Sequence, residues 1–270
     1  STAHAGELLA SSERNRLGMG DGPIADLWRL LESDTGLRIF SFPMDHTKIT
    51  GMFVFSDELG ACVALNANHP VERQRWSLAH GYAHFLIDRY KPEISVLGSK
   101  RRSDPVERIA DSFALHFLMP TTGLVRRFQM LQHEAGGRVT PKELLQLSHL
   151  YGVSAESMAH RLEDLKLIPE DSWDRLQRAG FQSGAARKHL DVTSGKTGKP
   201  RLPARYVALC VRAFQVGEFS EGQLAQRLIC DRVEARRIVE ETSAPPIMRD
   251  DGTIQQLSLD LDLDLAASAR

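Results

Sequence analysis

The sequence predicts an α+β protein that is mainly α, with one small antiparallel sheet near its start and a long helical remainder that includes a helix-turn-helix-like hairpin. Three observations predict this. Three short runs rich in β-branched and aromatic residues, Leu37–Phe42, Thr50–Phe55 and Ala61–Leu65, follow one another closely. Outside them, apolar residues recur at helical spacing. Helix start and stop signals then punctuate the chain, at Asp104-Pro105, Met119-Pro120 and Thr140-Pro141.

Taken in order, residues 1–21 are polar and Gly-rich near their end, which suggests a flexible lead-in. Ile24 to Leu31 has Ile24, Leu27, Leu30 and Leu31 on one helical face. The three β-rich runs follow, with Asp57-Glu58-Leu59-Gly60 as a turn between the last two. Next comes a largely apolar segment containing Trp76, Leu78, Ala79, Ala83, Phe85, Leu86 and Ile87, with its charges gathered at the ends. A further helix opens at Asp104, an N-cap followed by proline at the first helical position, and Pro120 stops it.

Within the apolar segment lies Ala79-His80-Gly81-Tyr82-Ala83-His84-Phe85. Two histidines four apart share one helical face, the spacing that presents two imidazoles to one metal ion. Buried imidazoles need partners, because unpaired buried polar groups cost a few kcal/mol each. In the zinc-peptidase motif H-E-x-x-H, the residue after the first histidine is a glutamate that serves as general base. Here it is Gly81. Glu107 and Asp111, four apart on the next helix, share a face as well. One of them suits the third ligand position, and the other suits the free N–H of a ligand histidine, which it would orient.

Two segments, RQRWSLAHGYAHFL from Arg73 to Leu86 and ERIADSFALHFLMP from Glu107 to Pro120, resemble the ImmA/IrrE metallopeptidases. The resemblance covers roughly Gly22 to Pro120. It implies a zincin-like lobe over residues 22–120, with His80, His84 and Glu107 as zinc ligands, Asp111 orienting a ligand histidine, and Gly81 at the general-base position. It also implies a protein substrate, a helix-turn-helix repressor or antitoxin of a bacterial stress, phage or mobile-element system. Gly81 departs from the family pattern and points to a form without activity. Such a form is either an inactivated peptidase or a pseudo-peptidase that regulates transcription or binds a partner. An oxyanion donor is required in principle, and His116, Tyr82, Tyr90 and His133 stand as candidates.

The helical remainder divides into a region at 121–182, a flexible basic loop at 183–203, a helical hairpin at 204–250 and an alternating Leu/Asp tail at 251–270. Thr140 to Leu150 and Ala155 to Lys166, joined by Tyr151-Gly152-Val153-Ser154, form the helix-turn-helix candidate. Its second helix carries Glu156, Glu163 and Asp164, a poor surface for phosphates, so partner docking is favoured over DNA contact. Ser220-Glu221-Gly222-Gln223 is a capping box. The tail has the period of a half-buried strand, and the composition of a disordered acidic end.

Composition excludes some classes. A net charge of -1 over 270 residues gives no general basic field for nucleic acid. No stretch approaches the roughly 20 apolar residues that span a membrane. Cys62, Cys210 and Cys230 are odd in number and widely spaced, which favours reduced thiols and a cytoplasmic protein.

Overall fold

The computed structural model describes residues 1–46, 48–57, 60–88, 94–97, 104–181 and 201–243. The chain divides into two compact units, 1–203 and 204–270. Most of the basic loop and the whole Leu/Asp tail lie outside the described residues.

The start of the first unit departs from expectation. Thr2–Arg16 is a helix, α1, where the polar composition suggested a flexible lead-in. It packs along a later helix, α4 (Pro105–Leu118), through small and polar residues. Gly6 allows the close approach: a Cβ there would come within 2.6 Å of the Ile109 carbonyl oxygen. Ala10 is fully buried, and the Ser112 hydroxyl donates to the Ala3 carbonyl at 2.6 Å. The buried Arg14 guanidinium donates to the carbonyls of Phe117 at 2.5 Å, Gly20 at 2.8 Å and Gly22.

α2 spans Leu27–Thr35, beginning later than the apolar spacing suggests. Asp26 sets the start by accepting from the Arg29 N–H at 3.0 Å. Gly36 ends the helix in the left-handed region, at φ 72°. β1 (Arg38–Phe42), β2 (Gly51–Ser56), β3 (Gly60–Asn66) and β4 (Ile94–Leu97) form one sheet in the order β1-β3-β2-β4. The sheet is mixed rather than antiparallel. β2 runs antiparallel to both β3 and β4, but β1 lies parallel to β3, Ile39 opposite Val63. Side-chain alternation fixes which face of a strand is buried and carries no information on strand direction. The return of the chain between β1 and β2 is held by buried Asn66, whose amide donates to the Met44 carbonyl at 3.3 Å and the Ile49 carbonyl at 3.1 Å. β1's outer side is partly covered, since Ser41 and Arg201 exchange backbone hydrogen bonds of 2.7 and 2.8 Å.

α3 (Val71–Asp88) packs between the sheet and α4. Leu78, Ala79, Tyr82 and Ala83 are fully buried, as are Ala110, Phe113, Ala114 and Phe117 of α4. The Tyr82 ring meets Phe113 edge-on at 5.9 Å, and Phe113 stacks on Phe117 at 5.0 Å. Asp104 caps α4 by accepting from the Val106 N–H at 2.9 Å, with Pro105 at the first turn. α5 (Thr121–Glu134), α6 (Pro141–Tyr151), α7 (Ala155–Asp164) and α8 (Ser172–Arg178) complete the unit. A Thr140–Glu143 capping box opens α6, and Gly152 at φ 63° turns the chain into α7. Leu144, Leu147, Tyr151, Met158 and Leu162 of this hairpin join the same hydrophobic core. Glu156, His160 and Asp164 face outward.

In the second unit the described residues form three helices, α9 (Ala204–Gln215), α10 (Glu221–Arg227) and α11 (Arg232–Ser243), at the apolar-periodic segments of the expected helical hairpin. Ser220 and Gln223 form both halves of the capping box. Cys210, Val211, Leu224, Leu228 and Ala235 are buried among them. All three cysteines are free thiols. Among the described residues, no helix is long and apolar enough to cross a membrane.

Candidate metal centre

α3 is fixed at its first turn by the sheet. The Ser41 hydroxyl of β1 donates to Gln74 Oε1 at 3.2 Å, and the buried Gln74 amide donates to the His69 carbonyl at 2.8 Å. Two turns on, His80 and His84 emerge on one side of the helix, 6% and 3% exposed. Phe53 of β2 stacks on the His84 ring at 6.3 Å.

α4 brings two carboxylates to the imidazoles. The two Nε2 atoms lie 3.2 Å apart. Glu107 places Oε2 3.3 Å from His80 Nε2 and Oε1 3.4 Å from His84 Nε2. Asp111 Oδ1 lies 3.0 Å from the other ring nitrogen of His80, Nδ1. A carboxylate there takes the Nδ1–H and leaves the Nε2 lone pair directed at the other donors.

The donor set fits zinc. Ligand atoms about 2.0–2.1 Å from a tetrahedral zinc ion lie roughly 3.3–3.4 Å from one another. His80, His84 and Glu107 already offer donors at those spacings, and two imidazoles with one carboxylate are a known set for a catalytic zinc with one open position. Burial works against charge on His80, but the Asp111 and Glu107 carboxylates outweigh it and raise the imidazole to about 9. Glu107, held by hydrogen bonds to His80 and His84 against the effect of burial, falls to about 2. The four groups hold one another through these contacts.

Gly81 is buried within the helix, directly after His80. It carries no group able to take a proton. The carboxylates that touch the imidazoles, Glu107 and Asp111, are both engaged by them.

Residues 32–163 match the family model described as the IrrE N-terminal-like domain, a peptidase family. Over these residues the chain is similar to the ImmA/IrrE peptidase family. The matched segment contains α3 and α4, and so all four site groups and Gly81. A Mycobacterium tuberculosis transcriptional regulator of known structure is similar over 59% of this chain and 47% of its own, with 16% identity and a TM-score of 0.41. The chain thus spans about half of that regulator. No curated protein matches the chain.

The oxyanion candidates lie elsewhere or outside the described residues. Tyr82 points away from the ligands into the core, where its hydroxyl donates to the buried Glu13 carboxylate of α1. His116 faces α1, with Nε2 3.7 Å from Glu7. His133 is exposed on α5, and Tyr90 lies outside the described residues. Two residues of structural weight near the site left no signal in the sequence. Glu13 ties α1 to the metal helix from within a polar stretch, and Phe53 is one of several aromatics in a strand.

Proposed function

We propose that this chain is a zinc-dependent endopeptidase of the ImmA/IrrE type in a form disabled at residue 81, acting in the cytoplasm on a helix-turn-helix repressor or antitoxin. One observation carries the reading: a complete three-donor set beside a helix position that lacks its base. His80, His84 and Glu107 hold the zinc, and Asp111 fixes the His80 tautomer. Bound zinc supplies a Lewis acid and an acidified water for attack on a peptide carbonyl. In H-E-x-x-H chemistry the glutamate receives the proton of that water, and losing a general base costs on the order of 10²–10⁴ in rate. Gly81 removes that acceptor while leaving ligand binding untouched.

An extended substrate aligns by strand addition. β4 is the outer strand beside β2, whose Phe53 stacks on His84, and among the described residues no strand covers its far side. The outward face of α7, with Glu156 and Asp164, suits a basic protein partner better than a phosphate backbone.

The test is Gly81→Glu in the zinc-loaded chain, incubated with a panel of helix-turn-helix proteins. Chelator-sensitive cleavage supports the enzyme reading. A variant that binds zinc and a partner yet cuts nothing would sink it, and leave the chain as a partner-binding pseudo-peptidase.

A further inference from the structure

A cavity of about 380 Å³ lies among α5, α6, α7 and α8, and none of its wall comes from the metal-site helices α3 and α4. Most of the wall is apolar. Buried Leu144 of α6 and Leu162 of α7 line it, together with the half-buried Leu167, Ile168 and Leu176. Gln132 of α5 and Ser172 and Arg175 of α8 add polar groups. An apolar lining with a few polar groups, at a volume of about 300–1,000 Å³, is the pattern of a small-molecule site.

The rim between α7 and α8 has a set shape. Lys166, at φ 56°, and Asp171, at φ 58°, bracket it in the left-handed region that non-glycine residues seldom adopt. The Ser172 hydroxyl donates to the Pro169 carbonyl at 2.6 Å and ties the rim to α8. The same hydroxyl oxygen accepts from Arg175 Nη2 at 2.8 Å, which holds the guanidinium beside the cavity. That bond uses one of the five N–H groups an arginine carries. Among the described residues no carboxylate forms an ion pair with Arg175. Glu163, the acid at the end of α7, is engaged elsewhere, by the Trp173 N–H at 2.9 Å and by His160 at 3.2 Å. The Gln132 side chain has no hydrogen-bond partner among the described residues.

A surface cation alone is simply hydrated, but one fixed on the wall of an apolar cavity selects its occupant. A flat carboxylate meets a guanidinium through two parallel N–H bonds. A phosphate dianion would set two charges against one cation and an apolar wall. A neutral apolar molecule would leave the guanidinium unused. At about 30 Å³ each, the share of one water in the liquid, the cavity holds on the order of a dozen non-hydrogen atoms. We infer that this cavity binds a monocarboxylic acid with an apolar body of that size, its carboxylate on Arg175 and its body against Leu144, Leu162 and Ile168.

The experiment is titration of the full chain with sodium octanoate and, separately, with 1-octanol, followed through the side-chain methyl resonances. Saturable octanoate binding is expected, with shifts at Leu144, Leu162 and Ile168. Octanol should bind at least tenfold more weakly, the scale of one hydrogen bond to a charged group. Arg175→Gln, at an exposed position, should weaken octanoate binding about tenfold and leave octanol unchanged. Gln132→Glu should weaken octanoate binding too, by repelling the carboxylate or by occupying Arg175. The inference is overturned by an absence of saturable octanoate binding at millimolar ligand, by octanol bound as tightly as octanoate, or by shifts confined to residues away from the cavity. A folded Arg175→Gln that binds octanoate like wild type also overturns it. If that variant does not fold, an unchanged affinity in Gln132→Glu overturns it.

Discussion

Zinc uptake by this chain should expel close to one proton from His80. Without metal, burial disfavours the imidazolium, yet Asp111 at 3.0 Å and Glu107 at 3.3 Å outweigh that effect and raise the group from 6.5 to about 9. At pH 7 His80 therefore carries the proton, and a cation must displace it. Apparent zinc affinity should climb about tenfold per pH unit from 7 to 9 and then level off, on the order of a hundredfold in all. The stability of the metal-free fold runs the other way. A raised histidine pKa gives a contribution that is complete below about 6.5 and is lost as pH rises through about 9. Calorimetry at pH 7 in two buffers of different ionisation enthalpy counts the protons released. About one per zinc, falling towards none near pH 10, is the expected result. An affinity that is already flat above pH 7 would refute the account of His80.

Other perturbations have expected sizes. Asp111→Ala removes the acceptor of the His80 Nδ1–H and should weaken zinc binding about 10–100-fold, with an unchanged circular dichroism spectrum. Tyr82→Phe takes a donor from the buried Glu13 carboxylate and should cost about 1–3 kcal/mol in denaturant unfolding, while one zinc per chain is retained by mass spectrometry. Gly6→Ala places a methyl group 2.6 Å from the Ile109 carbonyl oxygen and 2.7 Å from the Phe113 nitrogen, so overpacking should cost about 1–3 kcal/mol. Unaltered stability in that variant would show that α1 is not seated on α4.

The parts of the fold that left a periodic trace were legible in the sequence. His80 and His84 share a face because four residues make about one helical turn, and Glu107 and Asp111 share one for the same reason. The Asp104-Pro105 and Ser220–Gln223 signals mark helix starts because their chemistry is local. Features that depend on distant partners were not legible. α1 packs with Gly6, Ala10, Glu13 and Arg14, a face that only makes sense opposite α4. β4 is four residues long, too short for its alternation to stand out. The parallel pairing of β1 with β3 is a matter of topology, which alternation cannot encode. Tyr82 sits inside the motif yet serves the core, since a helix that presents two histidines on one side must bury something on the other.

The contact between α1 and the metal helix sets the size of the piece that can stand alone. The family match begins at residue 32, and α1 ends at Arg16. A fragment cut at the recognisable boundary would keep every ligand. It would also strip the acceptor from the Tyr82 hydroxyl and the guanidinium from the Phe117 carbonyl, and uncover the α4 surface that Gly6 and Ala10 seal. The stretch that kinship recognises is thus shorter than the stretch that folds, and a minimal version of the metal lobe has to begin at α1.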